Sequence, residues 1–163
     1  MKVRGYAVKY GDNIDTDVII PGRYLGITDP EELGRHAMEG LDPEFPSKIK
    51  QTGILVAGVN FGCGSSREEA PLALKYSGVK CIIAKSFARI FFRNAINVGL
   101  PIVICPEAVG KIEEGDELTI DLAEGTIVNE SKDETYRMVP LPKFILDILR
   151  DGGLIPHLRR KGF

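Results

Sequence analysis

Apolar and polar residues alternate with different rhythms along this chain, and each rhythm predicts a different element. Met1 to Tyr10, with VRGYAVKY rich in β-forming side chains, predicts a first strand. GDNIDTDVIIPGRYLGITD then breaks the pattern with Gly, Asp, Asn and Pro around a short apolar VII, which predicts a loop. Asp29 before Pro30, Glu31 and Glu32 is a helix start, with a cap, a proline at the first position and acids in the first turn. That helix should end near Gly40, and LDPEFPSK, with its two prolines, should be an irregular connection.

GILVAGVN is apolar without alternation, as expected of a strand buried on both faces of a parallel sheet. Ser66 and Glu69 have capping-box spacing, and a helix should follow through EEAPLALKYSG, ending at Gly78. VKCIIAKS predicts the next buried strand, FARIFFRNAINVG an amphipathic helix, and LPIVIC a third buried strand. Gly53 to Cys105 thus has β-α-β-α-β order, a parallel unit with helices packed on its sheet. DELTIDL, GTIVNE and TYRMVP alternate apolar and polar residues, as half-exposed antiparallel strands do. PKFILDILRDGG closes the pattern with a proline-started amphipathic helix, and the basic end HLRRKGF is expected to be a solvated tail. The whole of 1–163 is expected to be one α/β domain, with a parallel centre and added antiparallel strands.

Composition narrows the function classes. The formal net charge of −2 does not favour a nucleic-acid or membrane surface as the main partner. No apolar run approaches the roughly 20 residues of a membrane span, and the N-terminus lacks an apolar signal region, so a cytoplasmic location is expected. Cys63, Cys81 and Cys105 are far apart, form no CxxC, and have only His36 and His157 for company. A metal or cluster site built by this chain alone is therefore not expected. Cys81 and Cys105 fall in apolar runs and should be core; Cys63 is expected to be a small filler with an oxidation liability. The odd count leaves an intermolecular bridge open, and nothing in the pattern decides whether the chain forms homo-oligomers.

The candidate chemistry lies in FGCGSSREEA, at the carboxyl end of the apolar strand and the start of a helix. Ligands of open α/β sheets bind at such ends, where unpaired N–H groups and the helix dipole favour anions. Arg67 adds a planar donor fork suited to a carboxylate or phosphate. The turn lacks the Walker lysine, the third glycine of a dinucleotide loop and the GxSxG of a hydrolase elbow, and no histidine is near for a serine triad. Two readings remain from the residues alone: serines that merely cap a helix, or an anion site made from the helix end, Arg67 and a hydroxyl. Phe87, Phe91 and Phe92 are expected to pack rather than bind, and Arg89, Arg93 and Asn94 are left unassigned.

NIDTDVIIPGRYL, then GCGSSREEA, then IIAKSFARIFFRNAINVGLP together resemble the small subunits of 3-isopropylmalate dehydratase, in the aconitase superfamily. The resemblance covers nearly the whole chain and points to the archaeal and bacterial branch shared with homoaconitase small subunits. It implies the swivelling β/β/α fold of the aconitase C-terminal domain. It also implies a large-subunit partner carrying the [4Fe–4S] cluster, with the active site between subunits. The implied reaction removes water from 2-isopropylmalate and returns it to give 3-isopropylmalate, in leucine biosynthesis. By resemblance Ser65 is the base, acting as an alkoxide, which needs strong anion stabilisation because a serine hydroxyl is a very weak acid. Ser66, Arg67 and Arg23 match carboxylate-binding positions, and Asp17 matches an acidic position that orients an arginine or water. Without the resemblance, Asp15 and Asp17 would be turn closers and Arg23 a surface arginine.

The same resemblance makes Tyr24, Leu25, Gly26, Ile27 and Thr28 a loop facing the distal group of a small di- or tricarboxylate. No Lys or Arg lies between Arg23 and Arg35, so a second distal carboxylate would lack a partner, while an isopropyl group gains by burial against Leu25 and Ile27. Isopropylmalate is expected. The alternatives are a homoaconitase or other hydro-lyase small subunit, dual specificity through the small Gly26, or a non-catalytic anion-binding module of the same fold.

Overall fold

The apolar run GILVAGVN becomes strand β2 (Gly53–Ala57), and all five of its residues are buried. A computed structural model describes residues 1–163 and sets β2 between β3 and β1 within one mixed sheet. The other strands are β1 (Lys2–Lys9), β3 (Cys81–Ala84), β4 (Ile102–Ile104), β5 (Glu117–Asp121), β6 (Thr126–Asn129) and β7 (Glu134–Arg137). Their order is β4-β3-β2-β1-β5-β6-β7, parallel from β4 to β1 and antiparallel from β1 to β7. The helices are α1 (Thr16–Ile19), α2 (Pro30–Gly34), α3 (Phe45–Thr52), α4 (Glu69–Ser77), α5 (Arg89–Asn97), α6 (Pro106–Lys111), α7 (Lys143–Arg150) and α8 (Leu154–Arg160).

Register divides the core into two layers. Val8, Leu55, Ile82 and Ile102 are paired in one row across β1 to β4, and all face the helical side, against residues such as Ile49 of α3, Leu74 of α4 and Phe91 of α5. Their neighbours Ala7, Ile54 and Cys81 point the other way, with Val56, Ile83 and Val103. That second face is covered in part by α6, through Ala108 and Val109. The antiparallel wing curls across it, placing Leu118, Ile120, Ile127 and Tyr136 on the same cluster. Strand against strand against helix is the β/β/α arrangement, and it explains why β2 and β3 are apolar throughout while the wing strands β5 and β6 alternate.

Several helical segments differ from what the residue pattern predicts. The loop after β1 contains α1, capped by the Asp15 carboxylate, which accepts from Val18 N at 2.8 Å. LDPEFPSK is not irregular throughout: α3 begins at Phe45, with Pro46 harmlessly in its first turn, and Phe45 and Ile49 turn inward one helical turn apart. Helix α2 stops at Gly34 rather than near Gly40, because the chain must bend to bury Met38, whose N–H donates to Ile19 O at 2.8 Å. The basic end is no free tail: α8 buries His157, which pairs with Asp151 at 2.7 Å. The short α6, started by Pro106, has no counterpart among the predicted elements.

The contact between α2 and α4 depends on Gly34, where an added Cβ would lie 2.7 Å from the Tyr76 carbonyl carbon and 2.8 Å from Ser77 N. Backbone on both sides leaves little room to yield. Gly34→Ala should therefore lower the unfolding free energy in urea by about 1–3 kcal/mol. Gly110→Ala in α6, where nothing lies within 4 Å, should instead raise it by about 0.5–1 kcal/mol.

Candidate active site

The site grows from the way two loops run side by side. Beyond the end of β1, Tyr10 N bonds to Val56 O at 2.8 Å and Asn13 N to Val59 O at 2.9 Å. Gly62 N then bonds to Ile14 O at 2.8 Å, and Thr16 N to Cys63 O at 2.8 Å. The GDNIDTD segment is thus laid along the segment that leaves β2. Phe61 continues the contact on the other side, accepting from Ala88 N at 2.9 Å and donating to Ser86 O at 3.1 Å. The three sequence motifs, distant along the chain, meet at the carboxyl ends of the parallel strands.

Gly62 and Gly64 make the turn possible. Both have positive φ, 83° and 94°. A Cβ on Gly62 would penetrate the Phe91 ring, 2.2 Å from Cγ. Phe91 is itself held edge-on to Phe61, with ring centroids 5.2 Å apart, so the aromatic side chains form the floor under the turn. The cavity above has a volume of about 340 Å3. Its walls are Thr16, the two turn glycines with Ser65, Ser66 and Arg67, and Ala88 to Phe91 with Asn94. Two nine-residue helices, α4 and α5, begin at its edge.

Ser65 and Ser66 are exposed and neither hydroxyl is bonded to the protein. The capping box expected of Ser66 and Glu69 is not formed. Helix α4 begins at Glu69 with Glu68 in the cap position, and no side chain caps it. Ser66 lies two residues too early to serve. Thr16, buried beneath, supports the turn by donating from Oγ1 to Ser65 O at 2.8 Å.

Arg67 is held from one side. Its Nη1 donates to Asp17 Oδ1 and to Ile20 O, each at 3.1 Å. The same Asp17 oxygen accepts from Gly22 N at 3.3 Å. Arg67 therefore ties the end of α1 to the short 3-10 turn Gly22–Tyr24, while Nη2 and Nε keep their donors for a ligand. Its side chain is only 20% exposed, against 71% for Asp17, so the cation is the partly desolvated member of the pair.

Ser65, Ser66 and Arg67 line the cavity; Asp17 touches it through Arg67. Arg23 and the loop Tyr24 to Thr28 are not among its walls. Leu25 and Ile27 pack partly against the helical core, whereas a Cβ added at Gly26 would meet nothing within 4 Å. Arg89 and Asn94, left unassigned by sequence, are wall residues; Arg93 faces the neighbouring groove between α5 and α7. Thr16 was missed, and its position between two aspartates in DTD was the only sequence signal for it. Cys81 and Cys105 are buried in the wing-side core, and burial pushes both thiols up. Cys63 is partly exposed at the turn. With the three thiols so divided, and no set of three His, Cys, Asp or Glu groups gathered, this chain's residues do not fit an iron–sulfur cluster.

Comparison with known proteins agrees with the fold and sharpens it. Residues 31–107 match the aconitase C-terminal domain, which sets the class: an aconitase C-terminal-type domain with its cavity at the sheet's carboxyl edge. A 3-isopropylmalate dehydratase small subunit from Caldanaerobacter subterraneus subsp. tengcongensis is 59% identical, covering 98% of this chain and 99% of that one. Small subunit 1 of the enzyme from Methanopyrus kandleri is 53% identical, over 98% and 94% of the two chains. The crystal structure of 3-isopropylmalate dehydratase from Methanocaldococcus jannaschii superposes with a TM-score of 0.92 at 50% identity, covering 99% of this chain and 95% of that one. The chain belongs to the family of 3-isopropylmalate dehydratase small subunits.

Removing the Arg67 guanidinium should loosen the segment it ties down. In Arg67→Met, amide hydrogen exchange over 17–25 should become about tenfold faster or more, the loss of one or two charge-assisted bonds, while the β2 and β3 amides keep their protection. Unchanged exchange at Gly22 would mean that Asp17 and Ile20 hold the turn without Arg67.

Proposed function

We propose that this chain supplies the base and the carboxylate grip of a two-subunit hydro-lyase that interconverts 2-isopropylmalate and 3-isopropylmalate. The carrying observation is the pair of unspent serine hydroxyls beside an arginine that is oriented by Asp17 yet keeps free donors. A helix-capping role would have consumed a hydroxyl. A non-catalytic module would have no use for a free one beside a partly desolvated cation.

The chemistry divides as follows. The substrate carboxylate next to the reacting carbon is gripped by the open edge of the Arg67 guanidinium and by Ser66. The Ser65 hydroxyl, as alkoxide, takes the proton from that carbon. Its negative charge is stabilised by Arg67 and by the positive ends of α4 and α5 at the cavity edge. Thr16 keeps the Ser65 backbone at a fixed height by its bond to the Ser65 carbonyl. Phe91 and Ile90 keep one wall apolar, which strengthens the electrostatic terms.

The other half of the reaction, departure of the hydroxyl, needs an acid that these walls lack: among them are two arginines but no Asp, Glu, His or Cys. That half is assigned to the large subunit, together with the [4Fe–4S] cluster, and the substrate lies where the two chains meet. Arg23, one residue beyond the Gly22 that Asp17 holds, is the second carboxylate grip, and Tyr24 to Thr28 face the distal group. With no cation between Arg23 and Arg35, the distal group is the apolar isopropyl.

Two variants test this in the complex co-expressed with its large subunit and reconstituted anaerobically. Ser65→Ala should lower kcat by about 10²–10⁴-fold, the range for a lost general base. Retention of full turnover would remove Ser65 from the role. Gly26→Arg, which has open space to enter, should shift kcat/KM towards a substrate with a distal carboxylate. No relative gain on that substrate would mean that the loop does not read the distal group.

A further inference from the structure

Arg23 stands in an unusual setting for a surface arginine. Its side chain is 65% exposed, and its nearest carboxylate oxygen, on Glu39, is 3.8 Å away, beyond hydrogen-bond reach. What orients it is an aromatic face: the guanidinium carbon lies 4.7 Å from the centre of the Tyr24 ring. Tyr24 is fixed in turn. Its ring is stacked on His36 at 3.9 Å between centroids and 10° between planes. Its hydroxyl donates to Glu39 Oε1 at 3.0 Å, while His36 Nδ1 meets Glu39 Oε2 at 2.9 Å. The bonds from His36 and from Tyr24 hold the Glu39 carboxyl below its usual range, with the charge of Arg23 adding in the same direction.

The turn that carries Glu39 is anchored separately from the loop. Met38, next to it, is fully buried and donates to Ile19 O. Glu39 therefore stands on the core, not on the loop, and offers a fixed platform. Its two oxygens are bonded to Tyr24 and His36, and at 3.8 Å Oε1 attracts Arg23 Nη2 without a hydrogen bond, so the donors of Arg23 stay available for a ligand.

We propose that Glu39, His36 and the Tyr24 ring are positioning residues for Arg23, so that recognition of the substrate carboxylate is set in part by the turn after α2. This rests on the reading of Arg23 as a carboxylate grip. A pre-oriented guanidinium binds without first losing the freedom of a long side chain. Without the platform that ordering falls on the binding step, in the ground state and transition state alike, so KM rises and kcat is kept.

The experiment is steady-state kinetics of the reconstituted two-subunit complex on 2-isopropylmalate. Glu39→Ala should raise KM by about three- to tenfold, the ordering cost of one long side chain, with kcat within about twofold. His36→Phe, which preserves a stacking ring and loses the bond to Glu39, should raise KM by about twofold. Arg23→Lys should raise KM by at least as much as Glu39→Ala, and the double variant Glu39→Ala/Arg23→Lys should be no worse than Arg23→Lys alone. A raised KM in Arg23→Lys with an unchanged KM in Glu39→Ala would overturn the platform and spare the grip. An unchanged KM in Arg23→Lys would overturn both. Lower kcat or melting temperature in Glu39→Ala, with KM unchanged, would make the cluster structural and overturn the proposal.

Discussion

The site depends on one constraint: the loop after β1 is bonded, backbone to backbone, along the loop after β2. From Tyr10 to Thr16 the first loop meets Val56 near the end of β2 and then Val59, Gly62 and Cys63 of the second. Parallel pairing of β1 with β2 starts this alignment, since it sends both strands out of the sheet at the same edge. Without it, Asp17 and Arg67 would be fifty positions apart with no reason to meet. With it, one ion pair joins α1, the turn before α4 and the segment that leads to Arg23.

The serine turn leaves a helix end uncapped and two hydroxyls unbonded. A capping hydroxyl on α4 would contribute on the order of 1 kcal/mol. The helix instead starts at Glu69 without a side-chain cap, and the two hydroxyls remain available. Gly62 and Gly64 accept positive φ so that the turn can sit over Phe91, which packs in turn against Phe61 and Phe87. The turn glycines are thereby pressed onto a packed aromatic surface.

The cavity also makes sense of a divided enzyme. Its walls combine cations, hydroxyls and apolar surface, with no proton donor of ordinary acidity. Such a lining has the cations and hydroxyls that suit an anion, as proposed above. The two cysteines of the wing-side core are there because thiols pack well, and burial keeps them protonated.

Much of this was legible in the sequence. Unbroken apolar runs predicted β2, β3 and β4 as parallel strands, and alternation predicted β5 to β7, because burial on two faces or one leaves that mark on any chain. The three motifs, taken together, resembled a known family and so directed attention to Ser65, Arg67, Asp17 and Arg23. The short helices were not legible, since four to eight residues around a proline carry too little periodicity to stand out, as α3 and α6 demonstrate. Capping-box spacing at Ser66 and Glu69 was misleading, because spacing does not say where a helix begins. Only the tertiary structure decided that Thr16 supports Ser65, that Glu39 and His36 hold Tyr24, and that α8 buries His157. Those partners are joined through folded space, and their pairing depends on strand order and on the curl of the sheet, quantities to which no local pattern of residues responds.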